Sequence, residues 1–595
     1  MGAYYTKEDI TGYIAKNCII PFIFDKMTNT TSAKDFRPNG YVWQKLKTSG
    51  TDYIYDAMKL GVESYPDNIP QDIAQGIDTA APDLLQRRRL WNNPAPAKIA
   101  LPTETWREAI DRWQRCKNTE NLIANGSITN ANDLITNNLN ILQFAIDLIH
   151  DVDMQGNYLF VKHFYEILKS ITILDPTCGS GAFLFAALNI LEPLYEECID
   201  KMNQCPENFE KELEEIRVQY RSNNQYFIFK SIILRNLYGV DIMPEAIEVA
   251  KLRLFLKLVA VVECNQRKEN LGLDPLPDID FNIRCGNTLV GYANQNELEK
   301  ANMSEGFFNA EEFRDKVEFE MEKISVVYKR YRDIQLKQKK EERNEDFVKS
   351  KKELQERLSV LNQILNQRLY SLTPKIQKID QWVAQTQPFH WIAEFYEIIQ
   401  NGGFDVIIGN PPYVEYSKVK KTYTINNIKC IDAGNLYAYV IERSLSLQHT
   451  DSRNGMIIQM SAFCTPRMKP FQKIWFDNAN YSALSFFDDR PGKLFDIEHI
   501  RVVICMLKKG TPSKFTATTN YNKFYSQCRN NVFKLLNYHL SDNSRKDFAV
   551  IKMSSDLEED IVNKIWKQNK TISYYENTSA NALNLSPACR SAIFV

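Results

Sequence analysis

Two rhythms of apolar positions run along this chain. Ile171-Thr172-Ile173-Leu174, Leu237-Tyr238-Gly239-Val240 and Phe404-Asp405-Val406-Ile407-Ile408-Gly409 are short, strand-like apolar runs. Between them helical spacing takes over from Ala182 and again from Pro244, whose proline suits a first helical turn. Strands alternating with helices predict an α/β fold, a doubly wound and mostly parallel Rossmann-like sheet. The stretch from about 301 to 379 breaks that rhythm. It is dense in charge, and Leu354, Leu358, Leu361, Leu365 and Leu369 form one helical face, which predicts a helical hairpin inserted between two strands. Residues 1–170 are expected to be a mostly helical N-terminal region. Residues 171–300 and 386–510 are the two halves of the sheet domain, 301–385 is the hairpin, and the polar tail 511–595 is a C-terminal extension.

At 595 residues the chain is too long for a single core. Its 73 basic residues nearly balance 74 acidic ones, so contact with a polyanion has to come from local basic patches. The hairpin offers one such arm in Lys337, Lys339, Lys340, Lys351 and Lys352, the other reading being a solvated helical arm. Twelve scattered cysteines without a C-x-x-C pair, and only six histidines, argue against a structural zinc and against a disulfide framework. The N-terminus has no apolar leader core and no run of 18 uncharged apolar residues occurs, so no membrane and a cytoplasmic location are expected.

Candidate chemistry sits at the ends of the strand-like runs. After the first comes Asp175-Pro176-Thr177-Cys178-Gly179-Ser180-Gly181, a tight glycine turn opening a helix, where something approaches the backbone closely. Leu184 stands where a dinucleotide fingerprint has its third glycine, so phosphate is disfavoured. An acid at the strand end suits a cationic amino-acid moiety, and S-adenosylmethionine fits that need. The second run ends in Asp241-Ile242-Met243: a carboxylate for ribose hydroxyls with apolar neighbours for adenine, or a plain helix N-cap. Asn287 is either a hydrogen-bond partner for the cofactor's adenine amine or a turn former. The third run stops at Asn410-Pro411-Pro412-Tyr413, a stiff turn whose side-chain and main-chain carbonyls can take both N–H bonds of an adenine amine while Tyr413 stacks on the ring.

In that order, these motifs resemble the S-adenosylmethionine-dependent DNA adenine-N6 methyltransferases. Phe389-His390-Trp391, Glu394-Phe395 and the lead-in Gly402-Gly403-Phe404-Asp405 narrow the likeness to Eco57I-type methylases of restriction-modification and phage-defence systems. The arrangement is similar to the gamma group, which implies a Rossmann-like methyltransferase sheet and usually places target recognition last, where 511–595 stands. The resemblance implies S-adenosyl-L-methionine as cofactor in residues 171–300, held by Asp175, Pro176, Cys178, Gly179, Gly181, Asp241, Ile242, Met243 and Asn287. It also matches Tyr4-Tyr5-Thr6 to the motif that closes over the methionine part, and so adds Tyr5 and Thr6. Asn410, Pro411, Pro412 and Tyr413 become catalytic, with Phe495 on the other face of a flipped adenine; Phe486 and Phe487 are rivals for that place. Double-stranded DNA is the implied partner, subunits of a restriction or defence complex are further ones, and no metal is required.

The same tetrapeptide also serves methyltransferases acting on protein glutamine or on RNA amines. A DNA-binding defence scaffold with vestigial catalysis is a further alternative. No Pro-Asp is followed by a nearby Glu-x-Lys, so no DNA cleavage is expected, and no Walker loop is present.

Overall fold

The computed structural model describes residues 5–220, 223–262, 277–303, 310–336, 343–373, 377–496, 499–542 and 550–567. Nine strands form one sheet: β1 (Ile173–Asp175), β2 (Leu237–Asp241), β3 (Ile283–Cys285), β4 (Phe404–Gly409), β5 (Gln448–Gln459), β6 (Ala479–Phe487), β7 (Val502–Lys509), β8 (Phe515–Asn522) and β9 (Tyr538–Asp542). Their spatial order is β3-β2-β1-β4-β5-β7-β6-β8-β9. From β3 to β5 every pairing is parallel, whereas β7 runs antiparallel to both its neighbours. This is the mostly parallel, doubly wound, Rossmann-like sheet that the strand and helix rhythm implies.

Chain order reverses beside β1. The first three strands step one way and β4 and β5 the other, which opens a crevice at the carboxyl ends of β1 and β4. Ile173 pairs with Val406 and Leu174 with Ile407, so Asp175 and the residues after Gly409 emerge side by side. The central strands are buried on both faces, as their unbroken apolar runs require.

Helix Glu8–Met27 is apolar around most of its circumference and lies in the core against β4, β5 and helix Ala182–Gln204. Gly455 permits the approach, since a Cβ there would stand 2.5 Å from Cys18 Sγ. Arg453 of β5 reaches back to Asp25 at 2.6 Å, and Tyr13 meets Tyr538 of β9 at 2.6 Å between hydroxyls. The division expected at residue 510 falls inside this sheet: β8 pairs with β6 and carries β9 with it, so residues 515–542 continue the sheet domain.

Between β3 and β4 the chain makes two long helices, Ala310–Leu336 and Arg343–Ser371, packed along each other. The five-leucine seam is buried against Val317, Met321, Ile324 and Tyr331, and the same cluster takes in Val290, Tyr292 and Ile392 of the sheet domain. Each fully buried leucine contributes about 1.5–3 kcal/mol, so the hairpin is fastened along its length. Of the lysines considered for an arm, Lys351 pairs with Asp278 and Asp280, which removes it as a nucleic-acid contact. Lys352 is exposed beside Glu356, while Lys337, Lys339 and Lys340 lie outside the described residues.

Candidate active site

Asp175 closes β1 with only 1% of its surface exposed, and its Oδ1 accepts a hydrogen bond from the Thr177 amide at 3.0 Å. Gly179 and Gly181 follow with φ of +50° and +82°, the left-handed region where glycine is favoured. A Cβ at Gly181 would meet Ala250 at 3.2 Å, so the helix opening here packs tightly on helix Pro244–Val259. Nothing stands within 4 Å of the corresponding position at Gly179, leaving the backbone open to a ligand. Cys178 points inward and is buried, and Pro176 offers its carbonyl to Thr288 Oγ1.

Asp241 stands at the end of the adjacent strand, where Oδ2 accepts from the Gly179 amide and Oδ1 from the Met243 amide, both at 2.9 Å. These bonds fix the carboxylate against the glycine turn and leave lone pairs on both oxygens. Burial pushes both carboxyls above the usual range; for Asp175 the Asp241 charge adds to the rise, and amide hydrogen bonds partly offset it at each. Neither acid forms an ion pair with any described residue. A buried and a half-buried acid, both without a cation among the described residues, suit a ligand that brings its own positive charge. Ile242 and Met243, 41% and 38% exposed, lay an apolar ledge beside them.

Asn287 closes the same side. It is 4% exposed; its Oδ1 accepts from the Leu289 amide at 3.1 Å, while its buried Nδ2 has no partner among the described residues. The turn-forming reading of Asn287 therefore holds. With the carbonyl committed to the turn, the spare group is a donor, which suits a ring nitrogen of adenine rather than the amine expected from sequence.

At the end of β4, a Cβ at Gly409 would stand 2.8 Å from Asp175 Oδ1, so the start of the tetrapeptide touches the cofactor-type turn. Asn410 Nδ2 donates to Thr6 Oγ1 at 3.0 Å, and Thr6 is 4% exposed just before helix Glu8–Met27. Pro411 is buried, and Pro412 and Tyr413 are half-buried. Tyr413 donates its hydroxyl proton to the Ile457 carbonyl at 3.0 Å and meets Tyr437 edge-on, 6.1 Å between centroids. Tyr5 is 65% exposed.

Lys7 extends the N-terminal strap to Asp496 at 2.8 Å, which brings the loop carrying Phe495 next to the segment that holds Asn410. Phe495 is 5% exposed in the main core, and Phe486 and Phe487 are fully buried in β6. Beside this loop lies a cleft of about 750 Å³ that sequence reasoning missed. Arg529 braces its wall, pairing with Asp9 and donating to the carbonyls of Lys493 and Leu494. Arg490 and Lys493 line it without an ion pair to any described residue, whereas Lys523 stands 3.8 Å from Asp488. No sequence window could have joined Lys7 to Asp496 across 489 positions. Among the described residues no cluster of side chains could hold a metal ion, and no helix is long and apolar enough to cross a membrane.

Residues 235–492 match the family described as Eco57I restriction-modification methylase. This stretch is similar to Eco57I-type methylase domains. It contains Asp241, Asn287, the hairpin and the Asn410–Tyr413 turn, while Thr6, the Asp175 turn and Phe495 lie outside the matched range. A protein of Methanocaldococcus jannaschii, named as a candidate type II restriction enzyme and methyltransferase, is 30% identical over 322 residues. That match covers 47% of this chain and 25% of the relative, so the chain spans about a quarter of the curated relative's length. Among solved structures, this chain is similar to the type ISP restriction-modification enzyme LlaBIII bound to DNA: 14% identity, 93% of this chain, 33% of that one, TM-score 0.32. The M protein of the type I restriction enzyme EcoKI gives 11% identity, 85% and 73% coverage, and a TM-score of 0.28.

Proposed function

We propose that this chain is a DNA methyltransferase of a bacterial restriction-modification or phage-defence system, working in the cytoplasm and acting on N6 of a flipped adenine. The contact that carries the reading is between strands: Gly409, which leads into Asn410, abuts the carboxyl of Asp175, so an amine clamp and a cation-seeking pocket share one crevice. S-adenosylmethionine, when bound, supplies an activated methyl group. In this reading Asp175 and the Gly179 to Gly181 turn receive its charged amino-acid part, and Asp241 takes the ribose. Ile242, Met243 and the Asn287 Nδ2 receive its adenine. Tyr5 and Thr6 close over it, with Pro176 and Cys178 shaping the turn.

Adenine N6 is a weak nucleophile because its lone pair is conjugated into the ring. Asn410 Oδ1 and the Pro411 carbonyl, as two acceptors, hold both N–H bonds and favour a pyramidal nitrogen whose lone pair points at the methyl carbon. The new N–C bond forms as the C–S bond breaks, and one proton leaves N6 for water. Unstacking the base costs a few kcal/mol, offset by Tyr413 and Phe495 on its two faces. Phosphates beside the flipped base meet Arg490 and Lys493 in the adjoining cleft.

Within this reading residues 171–300 form the cofactor half, the catalytic half runs from about 386 through β9, and 301–385 are an insertion between them. The N-terminal region 1–170 supplies the strap that holds Asn410. Transfer of tritiated methyl to unmodified phage DNA, followed by nucleoside analysis, tests the assignment. The expected product is N6-methyladenine; label on cytosine, RNA or protein glutamine overturns it.

A further inference from the structure

The Eco57I-type segment from Phe389 to Glu394 takes no part in the chemistry above, yet it lies between the inserted hairpin and the loop bearing Asn287. On the hairpin side, Asn362 and Asn366 sit one helical turn apart on the same face of helix Arg343–Ser371. Asn362 Nδ2 donates to Glu394 Oε1 at 2.6 Å, and Glu394 also pairs with Arg284 of β3. Asn366 Oδ1 takes the other bond, 3.0 Å from His390 Nε2. The His390 ring is fully buried, stacked on Tyr292 with centroids 5.4 Å apart, and its Nδ1 accepts from the Tyr292 amide at 3.3 Å. Nδ1 is therefore the bare nitrogen and Nε2 carries the proton given to Asn366.

On the other side the same segment fastens the Asn287 loop almost entirely through backbone. The Asn287 amide donates to the Gln387 carbonyl at 2.8 Å, the Phe389 amide to Val290 at 2.7 Å, and Trp391 Nε1 to Thr288 at 3.2 Å. Gly286 and Gly291 bracket the loop where Phe389 presses on it. A Cβ at Gly286 would lie 2.6 Å from the Phe389 ring, and one at Gly291 2.1 Å from the Phe389 carbonyl. Thr288 then bonds the Pro176 carbonyl in the glycine turn. An unbroken chain of bonded and packed groups thus runs from the hairpin through His390 and Glu394 to the face where Asn287 presents its spare donor.

We propose that Asn362, Asn366, His390, Glu394 and Arg284 are positioning residues through which the inserted hairpin sets the Asn287 loop and thereby the affinity for S-adenosylmethionine. This rests on the functional reading only for the identity of the ligand. The hairpin is then a brace for the cofactor site rather than a nucleic-acid arm, which accords with Lys351 being committed to Asp278 and Asp280.

Hydrogen exchange and calorimetry on the full chain test this with Asn366→Leu, and with Asn362→Ala as a second variant should the first fail to fold. Amides of 286–292 are expected to exchange at least about tenfold faster, while those of β1 and β4 keep wild-type protection. The dissociation constant and KM for S-adenosylmethionine rise about tenfold; kcat at saturating cofactor and KM for DNA stay unchanged. Asn366→Asp, which keeps the acceptor for His390, restores both readouts. Unchanged exchange at 286–292 overturns the proposal, as does faster exchange with unaltered cofactor affinity. If the wild-type chain binds no S-adenosylmethionine, the ligand half of the proposal and the functional reading both fall, and the exchange data alone then decide the mechanical half.

Discussion

Asp175 is costly to the fold, and under the proposed function that cost serves the site. Its carboxyl is buried beside Asp241 with only an amide for support, so its pKa stands above that of the unfolded chain. The sign follows from linkage: a raised folded pKa favours the native state at low pH, and this benefit is lost as pH rises through the folded value. At neutral pH the unliganded site is consequently strained, and a cationic ligand relieves it. Asp175→Asn keeps the acceptor for Thr177 while removing the charge. The unliganded protein should gain about 1 kcal/mol in thermal or denaturant melts. Calorimetry should show cofactor affinity falling roughly 100-fold, the cost of about 3 kcal/mol for deleting one partner of a buried charge pair. Affinity in the wild type should also rise with pH as the carboxyl ionises, and the variant should lose that dependence. The acids and the Asn410 turn were legible in sequence because each terminates an apolar strand run. The spare end of the Asn287 amide was not legible, since it depends on whether Leu289 takes its oxygen.

At the scale of elements, the seam of Leu354 to Leu369 announced a hairpin through its helical spacing, but not what the hairpin covers. Its partners Val290, Tyr292 and Ile392 belong to loops on either side of it in the chain, and periodicity carries no information about such pairings. His390 is the element's most sensitive joint. Burial lowers its pKa to about 3, below the unfolded value of about 6.5, so protonation favours the unfolded chain. Its contribution to stability is complete above pH about 6.5 and declines by up to ~1.4 kcal/mol per pH unit as pH falls toward 3. Tyr292 and Asn366 contact the ring, and Glu394 lies one turn further along the segment. Denaturation midpoints between pH 7 and 4.5 should fall more steeply for the wild type than for His390→Gln, which has nothing to protonate. Equal slopes would show that the ring is not held neutral. The boundary at residue 510 failed for a related reason: β8 and β9 are polar, edge-ward strands, and the pairing that ties them to the sheet, β8 with β6, is non-local.

Taken whole, the molecule carries almost no net charge, so the DNA affinity proposed for it has to be local. The cleft beside Lys7 and Asp496 is where cations stand without full neutralisation, and it adjoins the strap that holds Asn410. Arg490→Glu and Lys493→Glu should weaken DNA binding similarly for all sequences, and should flatten the log–log salt dependence by roughly 1 for each phosphate no longer neutralised. Cofactor affinity should not change; fluorescence anisotropy across a salt series reads the DNA terms and calorimetry the cofactor. Sequence-specific weakening in these variants would instead make the cleft a base-reading surface. The N-terminal helix was expected in a separate helical region, yet it packs on the sheet, and Thr6 just before it takes the Asn410 amide, a link invisible until residues 404 positions apart are brought together.

The central claim is that Asn410 grips the target amine next to, but not within, the cofactor pocket. Single-turnover methyl transfer by Asn410→Ala, with S-adenosylmethionine binding measured on the same preparation, addresses it most directly. The account expects transfer to fall at least about 1,000-fold, roughly 4 kcal/mol of transition-state stabilisation, while the cofactor dissociation constant stays within about twofold of wild type. Transfer at the wild-type rate, or loss of cofactor binding together with activity, would contradict it.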